Sequence, residues 1–136
     1  MKNFHFVIYW AARLVAALIM LQTLYFKFTA SEESVYIFSA VGMEPWGRIG
    51  IGILELLASI LLLIPTTVWA GSLLAMGLMA GALGMHLTLL GIEVKGDGGM
   101  LFAYALIVLV CVAYSYWNSK AQLPAFLRKW LPSFLK

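Results

Sequence analysis

The sequence predicts an all-α integral membrane protein: a four-helix bundle with an interfacial helix on its outer side and an amphipathic segment at its C-terminus. Three observations predict that class. Hydrophobic residues make up 63% of the 136-residue chain and charged residues 11%, and the mean hydropathy is +0.95. A soluble domain of 15.0 kDa could not cover that much apolar surface with polar groups. The apolar residues also fall into four long runs, each close to the roughly 20 residues that cross a hydrocarbon core. Finally, short polar stretches separate the runs and leave no room for a soluble catalytic domain.

The first run, Phe6 to Phe28, follows Lys2 and so has the outline of a secretory signal. Phe28-Thr29-Ala30 is a poor cleavage site and Lys27 interrupts the end of the run, so a retained helix is expected. Ser31 is a good N-cap, with Glu32 and Glu33 at the positive end of a helix; Val35 to Phe38 then reads as a short outer helix ending at Gly42. It is placed to lid the outer mouth of the bundle. The second run, Gly47 to Ile64, and the third, Val68 to Leu90, are joined only by Pro65-Thr66-Thr67, a tight hairpin stopped by proline. Val94 to Gly99 supplies the next turn, with Asp97 as cap for the fourth run, Met100 to Trp117. Beyond it, Leu123, Phe126, Leu127, Trp130, Leu131 and Phe134 recur at helical spacing beside Arg128, Lys129 and Lys136. The domain division is therefore residues 1–119, the spanning bundle, and residues 120–136, an amphipathic tail on the cytoplasmic face that Pro132 breaks near its end.

Charge sets the orientation. Lys2, Lys120, Arg128, Lys129 and Lys136 lie at the chain ends, while Glu32, Glu33, Glu44, Glu93 and Asp97 occupy the two longer loops. Both termini are expected in the cytoplasm, in a multi-pass protein of the inner (cytoplasmic) membrane. Tyr9, Trp10, Trp69, Tyr116 and Trp117 fall at the inner boundary and Tyr25, Tyr36 and Trp46 near the outer one, which gives the same topology. The net charge of +3 does not mark a nucleic-acid binder, because the basic residues form no patch with exposed aromatics. Cys111 is the only cysteine, so neither an intrachain disulfide nor a paired-thiol redox cycle is available.

The functional lead is the set of polar side chains inside the runs. A charge in hydrocarbon costs roughly 2.5 kcal/mol or more on insertion scales, so such groups face one another or a wet cavity. Arg13 and Lys27 share nearly one helix face about 21 Å apart along the axis, in opposite membrane halves. Glu55 lies near the middle of the second run, with Arg13 only about 6 Å inward of the midpoint of the first. An Arg13–Glu55 ion pair is the expectation, either as a clamp between helices or as part of a working site. Gln22, Lys27, Glu55 and His86 form a candidate outward-opening pocket, although Lys27 could equally snorkel to the interface and His86 could simply be a hydrogen-bonded packing residue. No metal site is expected, since one histidine and one carboxylate are too few ligands. Gly77, Gly81 and Gly84 give the third run a narrow seam where close helix packing is expected.

Ala12-Arg13-Leu14 opening the first run, Phe26-Lys27-Phe28 closing it, and Glu55-Leu56-Leu57 before a short hairpin to a small-residue-rich helix resemble the DoxX family of four-helix membrane proteins. The likeness covers approximately residues 8–115. It departs at Leu24-Tyr25, where the family pattern has a glycine before the lysine motif. Arg13, Lys27 and Glu55 match positions that define the family; His86 belongs to this chain's own reading. The resemblance implies no single activity: some relatives form the membrane part of a thiosulfate:quinone oxidoreductase, others are associated with oxidative-stress defence, and distant ones assist receptor assembly.

Two functions follow as expectations. One is a redox-associated membrane component that binds a quinone-like or other lipid-phase small molecule among apolar walls with a few polar groups, with electrons supplied by a membrane protein partner. The other is a non-catalytic scaffold or assembly factor held rigid by its buried pair. An ion channel is disfavoured because no continuous face is polar.

Overall fold

The computed structural model describes residues 2–136, and among them there is helix and no strand. Helix α1 spans Lys2–Phe28, α2 Glu32–Ala40, α3 Trp46–Leu63, α4 Val68–Met85 and α5 Met100–Ser119. The segments Lys2–Phe28, Trp46–Leu63, Val68–Leu90 and Met100–Gln122 are long and apolar enough to cross a membrane. Helix α1 packs against α3 and α5, and α4 against the same two, so the spanning helices close a ring in the order α1, α3, α4, α5. Small side chains let them approach: Ala16, Ala58 and Ala75 are buried at the centre with Met20, Leu62, Val108 and Val112. The outward faces are apolar too, with Ile53, Leu57 and Ile60 on α3 and Leu106, Ile107 and Val110 on α5 exposed, as hydrocarbon requires.

The two ends of the bundle differ. At the end holding the α3–α4 hairpin and both termini, Thr67 Oγ1 donates to Leu61 O at 2.9 Å and ties the turn. Gly71 lies against α3 so closely that a Cβ there would meet Leu62 N at 2.8 Å and Ala58 O at 2.9 Å. At the opposite, loop end, α2 crosses over the bundle with Phe38 and Ser34 turned inward and buried. Ser31 Oγ caps α2 by accepting from Ser34 N at 3.3 Å. Helix α4 does not stop at Met85: it runs on as a π-helical turn, His86–Leu90, until Gly91 breaks it at φ 78°, a conformation glycine adopts without strain.

The tail departs from its helical spacing. Residues 125–128 make one short helical turn, α6, flanked by single tighter turns at 120–122 and 133–135. Pro124 and Pro132 interrupt what would otherwise be one amphipathic helix, because proline lacks the N–H and excludes the preceding residue from helical geometry. The chain folds back on α5 instead: Tyr116 Oη donates to Leu135 O, and Lys120 Nζ to Lys136 O at 3.0 Å. Phe126, Trp130 and Phe134 remain exposed.

Asp97 organises the entry to α5 from two residues before its cap position. Its carboxylate accepts from Val94 N at 3.0 Å, Gly99 N at 2.8 Å and Leu101 N at 3.2 Å. Partial burial pushes this carboxyl up, but those backbone donors pull it further the other way, to a net position below the ordinary aspartate range. A group lowered on folding adds stability that is present above its unfolded pKa and is lost as the pH falls through the folded value. Asp97→Ala is therefore expected to cost about 1 kcal/mol at neutral pH. In unfolding followed against pH, the gap between variant and wild type should narrow below about pH 4, where an unfolded aspartate takes up its proton. A gap that is constant down to strongly acidic pH would show that the charge plays no part.

Candidate functional site

A cavity of about 420 Å³ occupies the loop half of the bundle, beneath α2. Its walls are mostly apolar, with Met20 from α1, Ile51 from α3, Met79 from α4 and Val108 from α5 among them. Gln22, Lys27, Glu55 and His86 all line it, as do Ser34, Ile37 and Phe38 of the covering helix. Helix geometry explains why space is left here. Gly71 draws α3 and α4 into contact near the hairpin, whereas a Cβ built on Gly77, Gly81 or Gly84 would meet nothing within 4 Å. The glycine seam expected to be a tight helix contact is thus open, and Gly77 and Gly81 form part of the cavity wall. Both are exposed, as are Gln22 and Phe26 on α1, so the wall is thin at the depth of the spanning segments.

At the floor of the cavity, Lys27 Nζ lies 2.9 Å from Glu55 Oε2, with the two side chains only 15% and 7% exposed. Lys27 Nζ also donates to Thr23 Oγ1 at 3.2 Å, and Thr23 Oγ1 in turn donates to Met20 O at 2.8 Å. Lys27 therefore turns inward rather than snorkelling to the interface. Glu55 is an ion-pair partner by distance, yet its buried Oε2 has no donor in hydrogen-bonding geometry.

The expected Arg13–Glu55 pair is not formed. Side chains on a helix lean towards their own N-terminus. Because α1 and α3 run antiparallel, Arg13 leans away from Glu55 and towards the C-terminal end of α3, where its Nε donates to Leu62 O at 2.7 Å. Its guanidinium stacks 3.8 Å from the centre of the Trp10 ring, with Tyr9 on another side at 5.1 Å. A cation at carbonyls of a helix C-terminus is well placed electrostatically. The same leaning carries Glu55 towards the loop end and brings Lys27 back to meet it, although their positions in the sequence place them at different depths.

His86 is buried at the start of the π-helical turn. Its Nδ1 lies 2.8 Å from Gly91 O, and its ring meets the edge of Phe102 with centroids 5.7 Å apart. Since a carbonyl can only accept, Nδ1 carries the proton in that bond.

Several residues of the site escape sequence reasoning. Arg48 is buried; it chelates Glu44 at 2.9 and 3.0 Å through Nε and donates through Nη1 to Lys27 O. It thereby fixes the end of α1 that presents Lys27. The spacing of Glu44 four residues before Arg48 was the available signal. Thr23, four residues before Lys27, carried a similar one. Tyr104 and Glu33, which also line the cavity, had none.

The fold and the site define a four-helix membrane bundle with a small, mostly apolar cavity floored by a buried ion pair. Residues 11–114 match the DoxX-like family, and the chain belongs to that family as an integral membrane protein. No curated protein and no solved structure matches it.

Proposed function

We propose that the protein is a redox-associated membrane component whose cavity holds a quinone-like or other lipid-phase small molecule. The observation that carries this reading is the cavity itself: apolar walls, a polar floor at Lys27 and Glu55, and His86 alongside. Sites for small apolar ligands combine these features, with a few polar groups orienting a mostly hydrophobic guest. Electrons would come from a protein partner in the same membrane. Purification in mild detergent followed by extraction and mass spectrometry tests it: a stoichiometric quinone or other apolar small molecule is expected. A preparation free of any such molecule, and unable to take one up, would favour the second reading. That reading is a non-catalytic scaffold, and what supports it is that Lys27–Glu55 ties α1 to α3 and Arg13 ties α1 to the end of α3.

The charge distribution supports an inner-membrane orientation with both termini cytoplasmic and the tail of residues 120–136 against the cytoplasmic leaflet. A cysteine introduced in place of Lys95 is then expected to react with an impermeant maleimide from outside intact cells, and one in place of Lys120 only after lysis. Labelling of position 120 in intact cells would reverse the topology.

A further inference from the structure

We infer that the cavity selects ligands whose head group donates hydrogen bonds, that is, hydroxyl-headed apolar molecules such as phenols, hydroquinones or lipid alcohols, over matched ketones and ethers. The inference rests on the cavity being a ligand site, as proposed above, and narrows the chemistry of the guest.

The cavity walls offer more acceptors than donors. Glu55 faces an ammonium at 2.9 Å and so presents a carboxylate, which only accepts. Its Oε2 is buried and held by Lys27 as an ion pair without a regular hydrogen bond, and a carboxylate with a single cationic partner keeps acceptor capacity to spare. His86 uses an Nδ1 proton on Gly91 O, and in that tautomer its Nε2 is an acceptor. Glu33, half-buried where α2 covers the cavity, is a further acceptor. Against these stands one obligate donor, Lys27, whose ammonium is already shared between Thr23 Oγ1 at 3.2 Å and Glu55 Oε2 at 2.9 Å. Gln22, Ser34 and Tyr104 can play either part and do not decide the matter. Because Lys27 and Glu55 cancel in charge, a neutral donor suits the floor better than a second ammonium. Of a lipid-soluble redox pair, the reduced, dihydroxy member would be held more tightly.

The test compares para-decylphenol with para-decylanisole, in which a methyl group replaces the hydroxyl proton, by equilibrium binding of tritiated probe to the full chain in nanodiscs. Specific binding is the portion of bound probe that an excess of the same unlabelled probe displaces. The phenol is expected to bind roughly ten-fold tighter or more, the factor that one hydrogen bond to a charged group supplies. Glu55→Gln, which replaces an acceptor with a group that also donates, should narrow that ratio, and His86→Leu should narrow it independently. Equal binding of the two probes to the wild-type protein would overturn the inference and leave the ligand site standing. Specific binding of neither would overturn both.

Discussion

Lys27→Leu is expected to destabilise the bundle by about 3–5 kcal/mol, the penalty for removing one partner of a buried ion pair and stranding the other. The survivor, Glu55, is 7% exposed and lies within a spanning helix, with no second cation among the described residues paired to it. Glu55→Leu should be damaging as well, since it strands Lys27 with only Thr23 as partner. The double variant Lys27→Leu/Glu55→Leu removes both charges and should recover most of the loss, because apolar groups of similar volume are tolerated where a buried pair was. Equilibrium unfolding in mixed micelles would measure the cycle, with a coupling of at least about 1 kcal/mol expected between contacting residues. Arg13→Leu provides the control. It should destabilise through its own lost contacts to Leu62 O and Trp10, and its loss should add to that of Glu55→Leu without coupling. Coupling of Arg13 with Glu55, and none of Lys27 with Glu55, would contradict the assignment of partners.

That exchange of partners shows what the sequence made legible. Which side chains are buried was readable from the hydrocarbon penalty, and Arg13, Glu55 and His86 are all buried. Who meets whom was not readable from depth along the helices alone. Two antiparallel helices lean their side chains in opposite directions, which displaces each contact by about a turn or more from the level of its Cα. The spans themselves were clear, because hydropathy and the proline and glycine stops mark their ends; only α1, which starts at Lys2 rather than Phe6, begins a turn early. The tail shows the converse error. Its apolar spacing is helical, but Pro124 and Pro132 outweigh periodicity, and hydrogen bonds to α5 replace the missing helical ones. The π-helical turn that carries His86 has no sequence signature, since it depends on how α4 meets α2 and the following loop. Arg48 was hidden for a different reason: it lies at the start of a run, where a cation is ordinarily assigned to solvent.

The glycines of α4 should separate into two behaviours. Gly71→Ala is expected to destabilise the protein by about 1–3 kcal/mol, the usual cost of forcing extra volume into a closed contact. The added methyl would meet backbone atoms of Ala58 and Leu62 at 2.8–2.9 Å, and backbone cannot turn aside as a flexible side chain can. Its unfolding midpoint in mixed micelles should fall even though alanine is the better helix former by about 1 kcal/mol. Gly77→Leu and Gly81→Leu place a far larger side chain on the same helix, yet a Cβ at either position meets nothing within 4 Å. Those variants should unfold at or above the wild-type midpoint, because leucine gains helix propensity and finds no wall to strain. What they should lose is room: both positions line the cavity, and binding of an apolar phenol should drop at least about ten-fold, the effect of roughly 1.4 kcal/mol. The contrast decides whether the glycines are there for packing or for space. If Gly81→Leu unfolded as readily as Gly71→Ala, the seam would be a helix contact after all. The cavity beside Glu55 would then be too small to hold a guest.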